Sequence, residues 1–398
     1  MNKDRRITII SIFIWAICVI ILVGYYKVIK PRENPGNEDR PIATSENKDN
    51  NENDNDNGQS DNKYEAEAKK ILSQMNLSEK VGQMFFVRCP EKNAEQIVAD
   101  YKIGAYILFA RDFEGETKDS VKKNIESYQD KAKIPLLIGV DEEGGTVTRV
   151  SRFSNFRTSK FKSPMELYGE DGLNAIAEDT VEKCKLLSSL GINVNFAPVC
   201  DVTTDETAFM YTRTLGKSAE ETAEYVKQVV NQMNSSNMGS VLKHFPGYGN
   251  NKDTHIGSSN DDRSIEDFRK TDFLPFKAGI EAGAQCILIS HNVVNAIDSK
   301  NPASLSAEVH NILRDELGYN GVIITDDLVM DAITGVANDS EAAVSAVLAG
   351  NDMLISSNYD KQISAVINAV NDGRISEDTI NKAVLRVLCW KLSLGLFD

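Results

Sequence analysis

The chain has 398 residues, a net charge of −15 at neutral pH and 26% charged residues. This length suffices for one large barrel or for two ordinary domains. The acidic excess argues against nucleic acids and anionic surfaces as partners of the globular part, because like charges repel each other.

The first 30 residues are predicted to form a membrane anchor. An almost wholly apolar run from Ile7 to Gly24 follows three basic residues. About 18 residues at 1.5 Å each match the hydrocarbon thickness of a bilayer. A cleaved signal peptide usually has a shorter apolar core and small residues before its cleavage site, which this run lacks. We therefore expect residues 1–30 to be an uncleaved single-pass anchor in the cell membrane, with the globular part facing outward.

Residues 31–66 are predicted to be a disordered acidic linker. Asn, Asp, Glu, Ser and Gly dominate this segment, and apolar residues are nearly absent. Such a segment cannot bury enough surface to offset the entropy lost on ordering. The globular domain is therefore expected to occupy residues 67–398.

The six cysteines predict neither a zinc site nor a disulfide framework. No CxxC or Cys/His spacing is present. Cys18 lies in the anchor, which leaves an odd number in the globular part. Cys200 and Cys286 lie in or beside apolar strand-like runs, where a thiol behaves as a small buried apolar group.

From Tyr64 onward, short apolar runs alternate with helical patterns. Eight runs are predicted strands: Gly82–Arg88, Gly104–Ala110, Pro135–Asp141, Asn193–Asp201, Gly239–His244, Gln285–Ser290, Gly321–Asp326 and Asp352–Ser356. Apolar residues three or four apart predict intervening helices, for example Leu173–Leu190, Glu221–Met233, Phe273–Ala282, Val309–Leu317 and Ala342–Leu348. Continuous apolar strands indicate a parallel sheet covered by helices on both faces. Eight such units favour an α/β fold of the (β/α)8 TIM-barrel type, with a doubly wound open sheet as the alternative.

Polar residues stand at the carboxyl ends of five predicted strands: Asp141, Asp201, Lys243–His244, Ser290–His291 and Asp326. Barrel enzymes place their chemistry at this face, because the strand ends and the following loops converge there. The pattern therefore favours an enzyme over a structural domain. The connections after Asp141 and Asp201 are too long for bare barrel turns, so extra loops are expected over this face.

The segment after the third strand begins with three acids and a glycine pair and ends in Arg149. The glycines permit a tight turn and a close approach of the backbone to a ligand. A carboxylate such as Asp141 can bridge two neighbouring sugar hydroxyls, and an arginine can bind a hydroxyl or a carboxylate. Three acids would repel phosphate. Magnesium held by Asp141, Glu142 and Glu143 is an alternative.

Two of the four histidines fall in the Gly-rich segment Lys243–His255. The segment ends in Asp253-Thr254-His255, and a looped backbone can point the carboxylate and the imidazole the same way. Asp253 would then accept a hydrogen bond from one ring nitrogen and leave the other available for proton transfer. A surface turn with incidental polar residues is the alternative.

Asp326 follows the buried run Gly321–Thr325 and can act as nucleophile, base or metal ligand. The alternative is the N-cap of a helix spanning 326–333, a position where aspartate is common. The adjacent Asp327 should point to the other side of a continuing strand. N-capping or hydrogen bonding within the loop is expected for Asp327.

Four motifs resemble the signatures of glycoside hydrolase family 3, and most closely its bacterial β-N-acetylglucosaminidase branch. They are Ile138–Gly145, Asn195–Val202, Lys243–His255 and Ile324–Met330, in the family's order. The resemblance extends from about Leu77 to Leu354, nearly the whole globular part. It implies Asp326 as the nucleophile, His255 as the general acid/base and Asp253 as the group that orients His255. The sugar-binding positions of the family fall on Asp141, Arg149, Arg213, Lys243 and His244.

The chain departs from the family pattern at two points before Asp253 and at a third beyond Gly257, where Ser258–Arg263 replaces the usual apolar, proline-containing continuation. Where the family usually has a second histidine after Lys-His-Phe-Pro-Gly, this chain has Tyr248. The loop from His244 to Asp253 also looks about one residue shorter than the common pattern. These differences bear on loop geometry more than on the catalytic pair, which is present.

The resemblance implies a retaining exo-β-N-acetylglucosaminidase that acts on cell-wall fragments or other GlcNAc-terminated glycans without a metal or organic cofactor. A carbohydrate substrate and the membrane are the expected partners, and a monomer is expected. A family β-glucosidase is one alternative, although such enzymes commonly bring their acid from a second domain. A glycan-binding barrel without turnover is the other alternative, against which Asp253, His255 and Asp326 argue.

Overall fold

The computed structural model describes residues 60–251, 259–334 and 337–397. Within these ranges, no helix is both long and apolar enough to cross a membrane. The predicted anchor at 1–30 and nearly all of the predicted linker at 31–66 lie outside the described residues, so both stay predictions.

Every predicted strand corresponds to an observed one. The barrel strands are β1 (Phe85–Arg88), β2 (Ala105–Leu108), β3 (Leu137–Val140), β4 (Val194–Asn195), β5 (Gly239–Phe245), β7 (Cys286–Ile289), β9 (Val322–Thr325) and β10 (Leu354–Ser356). Strands β6 (Asn260–Asp261) and β8 (Val293–Val294) form a separate two-stranded parallel sheet. β4 is shorter than predicted, because Pro198 has no N–H to donate; pairing with the next strand resumes through a bridge between Val199 and Lys243.

Among the described residues, two helices precede the first strand, and the others lie between or after the strands. They are α1 (Ser60–Leu72), α2 (Leu77–Gln83), α3 (Ala94–Tyr101), α4 (Lys118–Lys131), α5 (Pro164–Ser189), α6 (Ala219–Ser235), α7 (Ile265–Lys270), α8 (Phe273–Glu281), α9 (Ala307–Asn311), α10 (Asp331–Thr334), α11 (Asp339–Ala349), α12 (Tyr359–Asn371) and α13 (Glu377–Ser393). Non-helical backbone at Asp171 and Gly172 divides α5, so its second part matches the predicted helix. The predicted helix Val309–Leu317 is α9 continued by a π-helical turn, Ile312–Glu316.

The eight main strands are all parallel, in the order β10-β1-β2-β3-β4-β5-β7-β9. A parallel bridge between Ile324 in β9 and Met353, just before β10, brings the two ends of this order together. The sheet is therefore a nearly closed barrel of the TIM type, and the open doubly wound sheet is excluded.

The strands are buried on both faces, so the core has two apolar layers, one between the strands and the helices and one inside the barrel. Residues on the outer face pack against the surrounding helices. Inside the barrel, Phe86 and Phe196 meet edge to face, with ring centroids 5.1 Å apart. Trp390 of α13 is 3% exposed and belongs to this inner cluster, so the C-terminal helix packs against one end of the barrel.

Candidate active site

A cavity of about 520 Å³ opens where the strands end. Ile107, Phe196, Leu288 and Ile355 of the inner barrel or its rim line the apolar part of this cavity. Polar groups at strand ends and on loops line the rest: Arg88, Asp141, Glu143, Arg149, Arg213, Lys243, His244, Asp326 and Asp327. Every predicted site residue within the described ranges lines this one cavity. Asp253 and His255 lie outside the described residues, so the proton-transfer pair stays a prediction.

Strand β5 delivers two adjacent side chains to the cavity. In a regular strand, neighbouring side chains point to opposite faces. The pairing of β5 with β7 shifts register between Leu242 and Phe245, and Lys243 and His244 both line the cavity. Such irregularities redirect side chains at barrel rims.

Lys243 is 2% exposed, and carboxylates surround its ammonium group. Lys243 Nζ lies 2.6 Å from Asp141 Oδ1 and 2.6 Å from Glu143 Oε1. Pairing satisfies a buried charge that would otherwise be costly. The contacts hold Asp141 at the cavity wall with its carboxylate oriented for hydroxyl groups of a ligand.

Glu143 lies between two cations. Arg213 donates to it through Nε at 3.0 Å and Nη2 at 2.7 Å, in addition to the Lys243 contact. Burial by itself would raise the pKa of the Glu143 carboxyl, but the charges of Arg213 and Lys243 outweigh burial and hold that pKa well below its ordinary range. We call Glu143, Arg213 and Lys243 the Glu143 cluster. It fixes Arg213 and Lys243 at the edge of the cavity.

His244 is oriented by Asp201. His244 Nδ1 lies 2.7 Å from Asp201 Oδ2, which also accepts from the His244 backbone N–H at 3.1 Å. The carboxylate favours the proton on Nδ1, so Nε2 of the neutral ring is an acceptor and faces Arg213 Nη2 at 3.3 Å. Asp201 Oδ1 accepts from the Tyr248 N–H at 2.8 Å, which fixes the start of the following loop.

Glu142 has a structural role within its loop. It is fully buried, and one of its oxygens accepts from the backbone N–H groups of Arg149 at 2.8 Å and Val150 at 2.7 Å. Its other oxygen accepts from the Ser151 hydroxyl. Glu142 thereby shapes the turn that presents Arg149. Because Glu142 and Glu143 face different partners, the three acids of this segment do not form the magnesium site considered above.

Two arginines share the Phe109 ring at the cavity wall. The Arg88 guanidinium carbon lies 4.7 Å from the ring centroid, and that of Arg149 lies 5.8 Å from it. Among the described residues, neither arginine forms an ion pair with a carboxylate, and the Nε atom of each has no hydrogen-bond partner. Both groups keep donor capacity for a ligand.

Asp326 directly follows β9. Its backbone N–H donates to Ile289 O of β7 at 3.0 Å, and its Oδ1 accepts from the Asp327 N–H at 2.8 Å. Helix α10 begins only at Asp331, so Asp326 is not the N-cap of the predicted helix 326–333.

Asp327 is held within the loop, as predicted. Its Oδ2 accepts from the Ser357 hydroxyl at 2.6 Å, and its Oδ1 from the Val329 N–H at 3.3 Å. Burial raises the pKa of Asp327, and the neighbouring charge of Asp326 adds to this effect. The two adjacent carboxyl groups therefore have different environments.

Other conspicuous residues lie in structural positions. His291 is fully buried, with Nδ1 2.7 Å from Ser304 Oγ and Nε2 3.0 Å from Asp327 O, so it hydrogen-bonds within the barrel rim. The Tyr248 ring packs edge to face between Phe209 and His244, at centroid distances of 5.1 and 5.3 Å. Within the described ranges, no group of three or more His, Cys, Asp or Glu residues is arranged to hold a metal ion.

Sequence reasoning missed Arg88, Phe109 and the role of Glu143. Arg88 ends a predicted strand, as Asp141 and Asp326 do, so its position in the sequence does indicate a place at the same face. Glu143 and Arg213 are 70 residues apart, and nothing in the sequence indicates that they meet.

A parallel barrel with carboxylates and hydroxyl-binding groups around one cavity at its strand ends is the arrangement expected of a glycoside hydrolase site. Residues 76–389 match the model of the glycosyl hydrolase family 3 N-terminal domain. The chain belongs to glycosyl hydrolase family 3, which confirms the resemblance and the enzyme class predicted from its motifs.

Relatives with assigned names support the same conclusion. A β-hexosaminidase of Nitrosomonas eutropha is 32% identical over 262 residues, which are 64% of this chain and 73% of that protein. A β-N-acetylglucosaminidase/β-glucosidase of Cellulomonas fimi is 26% identical over 82% of this chain and 59% of that protein. The solved structure of a family 3 β-N-acetylglucosaminidase from Paenibacillus sp. str. FPU-7 superposes with a TM-score of 0.76 at 30% identity. That match covers 81% of this chain and 64% of the Paenibacillus chain.

Proposed function

We propose that the chain is a retaining exo-β-N-acetylglucosaminidase that removes terminal β-linked GlcNAc from cell-wall fragments or other glycans. The observation that carries this proposal is the arrangement of Asp326, Asp141, Lys243, Arg213 and His244 around one cavity. A carboxylate nucleophile needs a sugar held with its anomeric carbon in reach, and the other four groups are suited to hold hydroxyls.

The proposed reaction has two steps. In the first, an Asp326 oxygen attacks the anomeric carbon while His255 donates a proton to the departing glycosidic oxygen, which leaves a glycosyl ester on Asp326. In the second, His255 takes a proton from water, the water oxygen bonds to the anomeric carbon, and the ester bond breaks. Two displacements return the sugar with its original configuration.

A histidine suits the acid/base role beside a carboxylate nucleophile. Imidazole titrates near neutrality, so it can donate and accept within one cycle. It is neutral after donating its proton, which avoids placing a second negative charge near Asp326. Asp253 would hold the ring in one tautomer and stabilise the imidazolium form.

The substrate proposal rests on the names of relatives. Proteins named β-hexosaminidase and β-N-acetylglucosaminidase share the fold and much of the chain length. The Cellulomonas fimi protein carries both an N-acetylglucosaminidase and a glucosidase name, so a β-glucosidase is the second candidate. Phosphate instead of water is a further possible acceptor, because a neutral histidine does not repel it as a carboxylate would.

The location of the enzyme is a separate proposal. The apolar run at 7–24 and the acidic linker at 31–66 favour a catalytic domain tethered outside the cell membrane, where cell-wall glycans are present. Protease treatment of intact cells would test it. Digestion of the catalytic domain without lysis is expected, and full protection until lysis would contradict the proposal.

The activity is tested with the full chain in detergent. Nitrophenol release from nitrophenyl β-GlcNAc and nitrophenyl β-glucoside is measured with and without phosphate. We expect faster turnover of the GlcNAc substrate, and loss of at least about 10³-fold in Asp326→Asn. Asp315→Asn, which removes an exposed carboxylate, is the matched control. Absence of turnover on both sugars, with sugar binding intact, would contradict the enzyme and leave a glycan-binding barrel.

A further inference from the structure

One arginine outside the cavity donates hydrogen bonds to residues on both sides of the segment 252–258 and to the start of α8. Arg263 Nη1 donates to Asp272 Oδ2 at 2.8 Å, and Nη2 donates to Asp261 Oδ2 at 2.8 Å. Its Nε lies 3.1 and 3.0 Å from the two Asp261 oxygens, and Nη2 also lies 3.2 Å from Gly247 O. We call Arg263, Asp261 and Asp272 the Arg263 cluster.

The two carboxylates of the Arg263 cluster are buried, and the Arg263 side chain is 30% exposed. Asp261 is 1% exposed and Asp272 is fully buried. A Cβ atom at Gly247 would lie 2.1 Å from Asp272 Oδ1, and Gly247 has a φ of +122°. Only glycine therefore fits at this point of the chain. A surface ion pair would not require this fit.

The contacts of the cluster fall on both sides of residues 252–258. On the N-terminal side, Arg263 bonds Gly247 O, and the Asn251 amide donates to Asp261 Oδ2. On the C-terminal side, Asp261 lies in β6, whose backbone pairs with β8; Val293 N–H donates to Ser259 O at 2.8 Å. One cluster thus connects the residues before and after this segment to each other and to the barrel.

We propose that the Arg263 cluster positions the catalytic acid/base by fixing both ends of the segment that carries Asp253 and His255. Arg263 is a positioning residue, since it contacts neither the cavity lining nor the nucleophile. This inference rests on the proposed function, because it assigns His255 its role. A misplaced catalytic group lowers the reaction rate even when it is chemically intact.

Leaving-group dependence distinguishes positioning from mere structural support. A dinitrophenolate leaves without a proton, whereas the alcohol of a disaccharide needs the acid. The value of kcat/KM reports the steps through the first bond cleavage. Disturbing the acid should therefore lower kcat/KM for GlcNAc-β-1,4-GlcNAc and spare kcat/KM for dinitrophenyl β-GlcNAc.

The test compares Arg263→Met with Arg269→Met in the full chain. Arg269 lies on α7 and pairs on the surface with Glu266 and Glu316, so it is a matched control. For Arg263→Met we expect kcat/KM on the disaccharide to fall by about 10²-fold and on the dinitrophenyl substrate by less than about fivefold. Azide, which needs no base, should restore kcat on the dinitrophenyl substrate. Arg269→Met should match the wild type.

A second variant keeps the test decisive if Arg263→Met does not fold. Asp272→Asn keeps the side-chain shape and should show the same split between substrates, with a smaller loss. Equal losses on both substrates in the variant that folds would overturn the proposal and leave the cluster a purely structural role. His255→Ala is measured beside them. If His255→Ala shows no split, the proposed function fails and the positioning proposal fails with it.

Discussion

Two clusters in this barrel pair arginine with buried carboxylates, and their charges are balanced differently. In the Glu143 cluster, two cations surround Glu143, whose pKa they hold below its ordinary range. In the Arg263 cluster, one cation serves two carboxylates, and burial raises the pKa of Asp272 to about 6 against the attraction of Arg263. Burial favours a raised pKa in both clusters; the two cations beside Glu143 outweigh it, and the single cation beside Asp272 does not.

The difference in charge balance matches the different locations of the two clusters. The Glu143 cluster lies at the cavity, where an ionised Glu143 keeps Arg213 and Lys243 fixed for a neutral sugar. The Arg263 cluster lies outside the cavity lining and joins backbone segments. The first cluster is expected to act on substrate directly, and the second through the loop it holds.

Among changes to the two clusters, the largest effect is expected from Glu143→Gln. Removing this charge leaves Arg213 and Lys243 with only part of their pairing in a buried place, which costs about 3–5 kcal/mol of folding free energy. We also expect kcat/KM for nitrophenyl β-GlcNAc to fall by about 10²-fold or more, because both cations lose their fixed positions. Urea unfolding and steady-state kinetics measure the two losses. Glu206→Gln, at an exposed glutamate of the neighbouring loop, is the control and should leave both quantities unchanged.

The pH dependence of stability separates the two clusters. The folded-state pKa of Asp272, about 6, lies above its ordinary value of 3.8, so the folded state binds this proton more tightly. The protonated Asp272 carboxyl therefore stabilises the folded state fully below pH 3.8, and this stabilisation is lost as the pH rises to about 6. The charge of Asp201 also raises the pKa of Asp272, whereas Arg263 and the Thr271 hydroxyl, which both hydrogen-bond Asp272, lower it.

The measurement compares wild type with each variant across pH 4 to 7. Relative to Asp272→Asn, the wild type should lose on the order of 3 kcal/mol of unfolding free energy between about pH 4 and 6. Relative to Glu143→Gln, its advantage should stay constant above pH 4.5, the ordinary value for Glu143, and decline only below it. Parallel pH profiles for the two variants would contradict the comparison.

A moderate effect is expected at the shared Phe109 ring. Arg88 and Arg149 both lie over this ring without a carboxylate partner among the described residues. If they donate to the sugar, Arg88→Met should raise KM about tenfold with a small change in kcat, since one charged hydrogen bond is worth about 1.5–3 kcal/mol. Arg152→Met changes an arginine of the same loop region that does not line the cavity, and it should leave KM unchanged. An unchanged KM in Arg88→Met would place the sugar away from β1.

The smallest effect is expected from Tyr248→His, which restores the family's usual residue. The Tyr248 N–H donates to Asp201 Oδ1, and a backbone donor survives the substitution. The loss of packing against Phe209 should cost about 1 kcal/mol. Activity should stay within about threefold, which thermal unfolding and kinetics can check. A gain above tenfold would show that Tyr248 limits catalysis.

Sequence gave a reliable account of the barrel because its strands are continuous apolar runs, buried on both faces. The grouping of Asp141, Lys243, His244 and Asp326 followed from their positions at strand ends, which meet at one face. The supporting contacts could not be predicted in this way. Glu143 meets Arg213 across 70 residues, and Arg263 meets Asp272 only because a helix start and a loop converge. Such contacts depend on loop paths, for which periodicity carries no signal.

The proposed reaction requires Asp326 to form a glycosyl ester with N-acetylglucosamine. A fluorinated N-acetylglucosaminyl fluoride, which slows release of the intermediate, is incubated with the full chain, and peptides are then mapped by mass spectrometry. We expect one added sugar per chain on the peptide that contains Asp326, and no label in Asp326→Asn. A label on another carboxylate, or continued turnover with no labelled peptide, would contradict the proposed reaction.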